Sequence, residues 1–84
     1  MTTEHQQGKR SRNGIHAEVL KFCNTPRRKT EIMRYCNLNS LYMNDILVEF
    51  LDKKFLRESG DHYMITEKGR NLLVLQLQLE EQMR

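Results

Sequence analysis

The chain has 84 residues, 38% of them hydrophobic and 30% charged, which suits one small domain whose core is marginal if it stays a monomer. Its net charge of +3 and pI near 9.1 are mildly basic, and the same balance describes the solvated surface of many small proteins. No apolar run approaches the roughly 20 residues that cross a bilayer, and the polar start Met1–Arg10 is no signal peptide, so a soluble, cytoplasmic protein is expected.

In chain order, residues 1–12 are polar, contain Gly8 and lack periodicity, which predicts a flexible arm. The arm ends in Lys9, Arg10 and Arg12. Basic arms of this kind follow or enter a groove of DNA, although a disordered solubilising tail has the same composition. Asn13 is a suitable N-cap for a helix running to about Asn24, with Ile15, Val19 and Phe22 in one stripe widened by Leu20 and Cys23. Thr25-Pro26 ends it, because the residue before a proline avoids the helical region. His16 lies beside the stripe and is read as a surface or internally satisfied histidine rather than a ligand.

Arg27, Arg28 and Lys29 form a second basic cluster, followed by Thr30 as N-cap of a helix over Glu31–Cys36. Three cations before a helix N-terminus are well placed to meet phosphates. Cys36-Asn37-Leu38-Asn39 then reads as a tight turn, and a longer helix is predicted over about Ser40–Lys54. There Met43, Ile46, Leu47, Phe50 and Leu51 recur at three- and four-residue spacing and share one stripe. Short helix, turn and longer helix make a helix-turn-helix. The opposite face carries Leu41, Asp45, Val48, Glu49 and Asp52, while Ser40, Tyr42 and Asn44 near the helix start face outward as candidate base contacts. Asn44 suits adenine, whose edge offers a matching donor and acceptor, but an ordinary surface asparagine looks the same in sequence. Tyr42 fits equally a packing residue at the edge of the core stripe.

Phe55–Glu58 and His62–Thr66 predict two short strands, with Ser59-Gly60-Asp61 as the turn. Arg57 and His62 favour phosphate on this hairpin; Glu58 and Asp61 offset them. Thr66 caps a final helix in which Leu72, Leu73, Val74, Leu75, Leu77, Leu79 and Met83 cover most of the circumference, so one side covers the domain and another requires a second chain. Leu73, Leu75, Leu77 and Leu79 also alternate as a strand would; the cap and the segment's length favour helix. Leu72, Leu75 and Leu79 fit a heptad-like seam, with Leu73 and Leu77 in a neighbouring one. Four leucines buried in a dimer contribute roughly 6–12 kcal/mol before association costs, at about 1.5–3 kcal/mol each.

The two cysteines, Cys23 and Cys36, cannot make a four-ligand zinc site. They are expected to be buried thiols, a disulfide being the alternative in a hyperthermophile. No carboxylate pair, activated nucleophile or glycine-rich phosphate loop is evident, so no enzyme, metal, cofactor or small-molecule substrate is expected.

Lys9-Arg10-Ser11, the helix ending in Cys23, Lys29-Thr30 with Ile32-Met33, Asn37-Leu38, Leu47, Phe50, Tyr63-Met64-Ile65-Thr66 and Lys68-Gly69 together resemble the archaeal winged-helix transcriptional regulators. Within these, the pattern is most similar to the ten-kilodalton crenarchaeal coiled-coil DNA-binding proteins, and the Tyr63-x-x-Thr66-x-x-Gly69 spacing is its most specific part. The resemblance covers about residues 9–75. It implies an α+β, mostly helical winged helix-turn-helix of three helices and a β-hairpin wing, joined as a homodimer through a C-terminal coiled-coil helix. The corresponding division is residues 1–12 as arm, 13–66 as winged domain and 67–84 as dimerisation helix. It also implies a double-stranded DNA partner and a regulatory or nucleoid-associated role, in a cell or an archaeal virus. The expected DNA contacts are Lys9, Arg10, Arg12, Arg27, Arg28, Lys29, Ser40, Tyr42, Asn44 and Arg57; the expected dimer contacts are Leu72, Leu73, Leu75, Leu77, Leu79 and Met83. Two features depart from the resemblance: the C-terminal helix is short, and Asp45, Glu49 and Asp52 make the reading helix acidic. An architectural protein of low sequence preference and a protein-binding winged helix are the competing readings.

Overall fold

The computed structural model describes residues 11–82. They form four helices and a three-stranded antiparallel sheet in the order α1 (Arg12–Phe22), β1 (Arg27–Arg28), α2 (Lys29–Cys36), α3 (Ser40–Asp52), β2 (Leu56–Ser59), β3 (His62–Ile65) and α4 (Glu67–Gln82). This is an α+β, mostly helical winged helix. No helix among the described residues is long and apolar enough to cross a membrane.

Capping chemistry sets the helix starts, and two of them differ from expectation. The cap of α1 is Ser11 rather than Asn13: its Oγ accepts from the Gly14 amide at 2.9 Å, so Arg12, expected at the end of the arm, is the first helical residue. Helix α2 begins at Lys29, two residues before the expected Glu31. Arg28 is extended (φ −83°, ψ 155°) because it belongs to β1, and the Glu31 carboxylate reaches back to accept its amide at 2.9 Å. Thr30 therefore lies inside the first turn and caps nothing. Asn39 caps α3 by accepting from the Tyr42 amide at 2.8 Å.

Both ends of the α2–α3 unit close by the same device. Asn37 is left-handed (φ 58°); its amide reaches the Arg34 carbonyl and that of Leu38 the Met33 carbonyl, at 3.3 and 2.9 Å. Lys54 repeats this at the end of α3 (φ 67°), with Phe55 bonded to the Phe50 carbonyl at 2.8 Å and the two rings edge-to-face at 5.8 Å. Both are Schellman closures, and the Phe50–Phe55 ring contact is the hydrophobic contact across the second. The left-handed turn at Lys54 stops α3 at Asp52, short of the expected Lys54.

The hairpin is tighter than expected, with Gly60 at φ 63° as the first of two turn residues and Ser59 opposite His62. Strand β1 is an addition to the expected hairpin: Arg27 and Arg28 pair with Tyr63 and His62, placing a third strand on the far side of β3 from β2. The core gathers Val19, Leu20 and Cys23 of α1, Ile32 and Cys36 of α2, Met43, Ile46, Leu47 and Phe50 of α3, and Leu56 and Ile65 of the sheet. Helix α1 packs on both α2 and α4. Thr66 fixes the start of α4: its Oγ1 accepts from the Gly69 amide at 3.0 Å and donates chiefly to the Lys54 carbonyl, with the Phe55 carbonyl at 3.1 Å beside it. The leucine-rich segment is helical throughout, which excludes the strand alternative.

Candidate nucleic-acid interface

The sheet register decides which cations can act together. Residues directly opposite one another in antiparallel strands point to the same face, and neighbours along a strand to opposite faces. Leu56 and Ile65 are buried opposite each other, so their face, with Glu58, Tyr63 and Arg27, is the inner one. Arg28, His62, Ser59, Met64 and Arg57 share the outer face. Two guanidiniums and an imidazole thus stand on one exposed surface, although they are far apart in the chain. Pro26, Arg57, Glu58, Ser59, His62 and Met64 line a shallow groove of about 500 Å³ along it. Asp61, at the tip, moderates the charge: it lies 2.8 Å from His62 Nδ1 and 3.7 Å from Arg28. Lys29 is the next residue after Arg28 and opens α2, so this basic surface runs into a helix N-terminus, where phosphate is favoured.

Arg27 does not belong to this surface. It is half-buried on the inner side, its Nε donates to the Phe22 carbonyl at 3.0 Å, and its guanidinium carbon lies 4.1 Å from the centroid of the Phe22 ring. The cluster expected to face phosphate as a unit is split by strand alternation: Arg28 outward, Arg27 inward.

On α3, Ser40 and Asn44 are exposed as expected. Tyr42 is half-buried and packs against the core, which favours its packing role. The same outer face bears Leu41, 77% exposed, and Val48, 68% exposed, together with exposed Asp45 and Asp52. Glu49, at its edge, is tied to Lys53 at 3.1 Å, and that cation holds its carboxyl below the usual range. Arg12 is exposed at the start of α1. Lys9, Arg10 and Met83 lie outside the described residues.

On α4, Leu72 and Leu73 are half-buried against the domain's own core and so do not form a free seam with the others. Leu75, Leu77 and Leu79 are exposed, and Val74 joins them. Both cysteine thiols are buried; burial, reinforced by Cys36, pushes the Cys23 thiol up to about 12. No three metal-binding side chains cluster among the described residues.

The grouping of Arg28, His62 and Arg57 had one legible part. His62 and Met64 alternate with Tyr63 and Ile65 as the outer and inner residues of a strand. The pairing that adds Arg28 is long-range and only two residues wide, so no local pattern announces it.

With this geometry, the chain belongs to the winged helix-turn-helix family, whose model matches residues 9–84. The family is typically a non-enzymatic DNA-binding module and suggests DNA binding here. No curated protein matches the chain.

Proposed function

We propose that the protein is a homodimeric transcription regulator that binds double-stranded DNA chiefly through the outer face of its sheet. The observation that carries this reading is the alignment of Arg28, Arg57 and His62 on one exposed face that continues into Lys29 at the start of α2. Phosphate contacts from Arg28, Arg57 and Lys29, with His62 beside them as a hydrogen-bonding ring, supply affinity. Ser40, at the start of α3 and off its acidic stripe, is the candidate for base contact, and Lys9, Arg10 and Arg12 extend the basic path. The dimer is supported by the exposed Val74, Leu75, Leu77 and Leu79 and by the resemblance to small archaeal coiled-coil DNA-binding proteins of cells and viruses.

The test is fluorescence anisotropy of a labelled random duplex at several salt concentrations. The logarithm of the association constant is expected to fall linearly with the logarithm of salt. Arg28→Ala with Arg57→Ala together should reduce the slope by roughly 1.8, about 0.9 for each phosphate no longer neutralised. Absence of binding at low salt would sink the reading. The acidic face of α3 favours a second one, an architectural, nucleoid-associated protein with little sequence preference. It would bind unrelated duplexes with similar affinity.

A further inference from the structure

The outward stripe of α3 is poorly matched to DNA. Leu41 and Val48 stand seven residues apart on it, about 10 Å along the axis, and are 77% and 68% exposed. Asn44 and Asp45 lie between them, with Asp52 one turn beyond Val48. Among the described residues neither Asp45 nor Asp52 has an ion-pair partner, unlike Glu49, which Lys53 neutralises. A DNA groove is walled by phosphates and its base edges are mostly acceptors, so a carboxylate entering it meets repulsion everywhere except at an exocyclic amine. A valine and a leucine held in solvent gain nothing from phosphate either.

The same stripe suits a different surface. Its alternation of apolar and acidic positions is complementary to an amphipathic helix with two apolar side chains at matching spacing, flanked by lysine or arginine. Met43, Ile46, Leu47 and Phe50 anchor the opposite side of α3 in the core, so the stripe is preorganised and binding it requires no ordering of the helix. The basic sheet face is built from other elements, leaving both surfaces available together.

We infer that the Leu41–Asp45–Val48–Asp52 stripe of α3 is a docking surface for a basic amphipathic helix of another polypeptide. This goes beyond the DNA reading and divides the labour within the domain: the sheet and the start of α2 hold phosphate, while the helix in the reading position holds a protein.

The experiment is a set of titrations into the ¹⁵N-labelled full chain, followed by amide chemical shifts. One probe is a synthetic peptide of about 18 residues, long enough to be helical, with leucines at the stripe's spacing and lysines flanking them. The second is the same peptide with glutamate for lysine, and the third a random-sequence duplex. The lysine peptide is expected to shift Leu41, Asn44, Asp45 and Val48, and the glutamate peptide to bind at least about tenfold more weakly. Leu41→Ser with Val48→Ser should weaken the lysine peptide by a similar factor while leaving the dispersion of the spectrum and duplex affinity intact. The duplex should shift Arg28, Arg57 and His62 and leave the stripe unmoved. The inference is overturned if the duplex shifts centre on Asn44–Val48 and Asp45→Asn with Asp52→Asn strengthens duplex binding. It is equally overturned if the lysine peptide does not bind or binds the serine variant as tightly, or if the stripe shifts with protein concentration alone, which would assign it to a second copy. Failure of the duplex to bind at all would sink the DNA reading, and the peptide titration would still decide this one.

Discussion

Arg27 and Phe22 form one unit: the guanidinium carbon lies 4.1 Å from the ring centroid, and Nε donates to the Phe22 carbonyl at 3.0 Å. Tyr35 stacks on the same ring at 4.2 Å and 6°. Two groups at such distances cannot share a face, so the ring is sandwiched between arginine and tyrosine, and α1, β1 and α2 meet there. Arg27→Ala is therefore expected to act on stability, costing about 1–2 kcal/mol because the cation–π stacking and the hydrogen bond both disappear. Arg27→Lys should not restore it, since an ammonium lacks the planar stacking surface. Arg28→Ala should do the opposite, with little change in urea midpoint and a shallower salt dependence of duplex binding. Equal effects of the two substitutions on the slope would refute the inward and outward assignment.

Gly69 reverses a familiar rule. Glycine to alanine within a helix ordinarily stabilises by about 0.5–1 kcal/mol. Here a Cβ would collide with the Phe55 carbonyl oxygen and come within 2.8 Å of Ile65 Cγ1. The Thr66 amide donates to the same carbonyl at 3.0 Å, so the backbone at Phe55 cannot yield without disturbing the residue that caps α4. Gly69→Ala is expected to lower stability by about 1–3 kcal/mol, the range for overpacking, in urea denaturation. A stabilised variant would mean that α4 is not seated this closely.

Lys54 offers the converse. It holds a left-handed conformation at the end of α3, where a Cβ costs roughly 1–2 kcal/mol. Lys54→Gly removes that strain without touching the Phe55–Phe50 closure, and a gain of about 1 kcal/mol is expected, less the added freedom of the unfolded glycine. Thermal denaturation should show a higher midpoint; a lower one would show the side chain to matter more than the strain.

The sequence disclosed most clearly what repeats locally. Met43, Ile46, Leu47 and Phe50 declare the buried stripe of α3 because a helix returns to one face every three or four residues. Gly60 beside Asp61 declares the turn, and Thr66 three residues before Gly69 declares a cap. Choices between near-equivalent neighbours were not legible: Ser11 and Asn13 are both good caps, and only the position of the Gly14 amide selects Ser11. Nor was any feature set by long-range pairing. The outward turn of Arg28 and the inward turn of Arg27 follow from their register with His62 and Tyr63, some 35 residues on. On α4, leucines all round the helix hid that Leu72 and Leu73 serve the domain's own core.

His16 gives the fold a pH dependence. It is 7% exposed, its ring edge meets Phe50 at 5.0 Å, and its Nε2 has no hydrogen-bond partner among the described residues. Burial holds its pKa below 6.5; Glu49 pulls it up, Arg12 and Lys53 push it down, and burial prevails. Well above 6.5 the imidazole is neutral folded or unfolded, and it contributes no slope. As pH falls below 6.5 the unfolded chain takes up a proton that the folded chain resists, so stability declines through the folded pKa. The urea midpoint is expected to drop between about pH 7 and pH 5, and His16→Leu to flatten that part of the curve. An unchanged curve in the variant would show that His16 is not the group responsible.

The proposed dimer is weaker than the leucine content of α4 suggests. Val74, Leu75, Leu77 and Leu79 are 40–57% exposed, so each has only about half its burial left to gain, or about 1 kcal/mol. Doubled across a symmetric pair this amounts to roughly 8 kcal/mol, within the 4–15 kcal/mol that association itself costs. A seam of this size alone yields a dimer that dissociates on dilution. Sedimentation velocity is expected to show monomer and dimer exchanging with concentration, and Leu75→Lys with Leu79→Lys to hold the chain monomeric with its helix content intact. The same variant should weaken duplex binding, because two linked domains hold one duplex with a shared loss of freedom. A wild-type chain that stays monomeric at every concentration would remove the homodimer from the proposal and leave each winged domain to bind DNA alone.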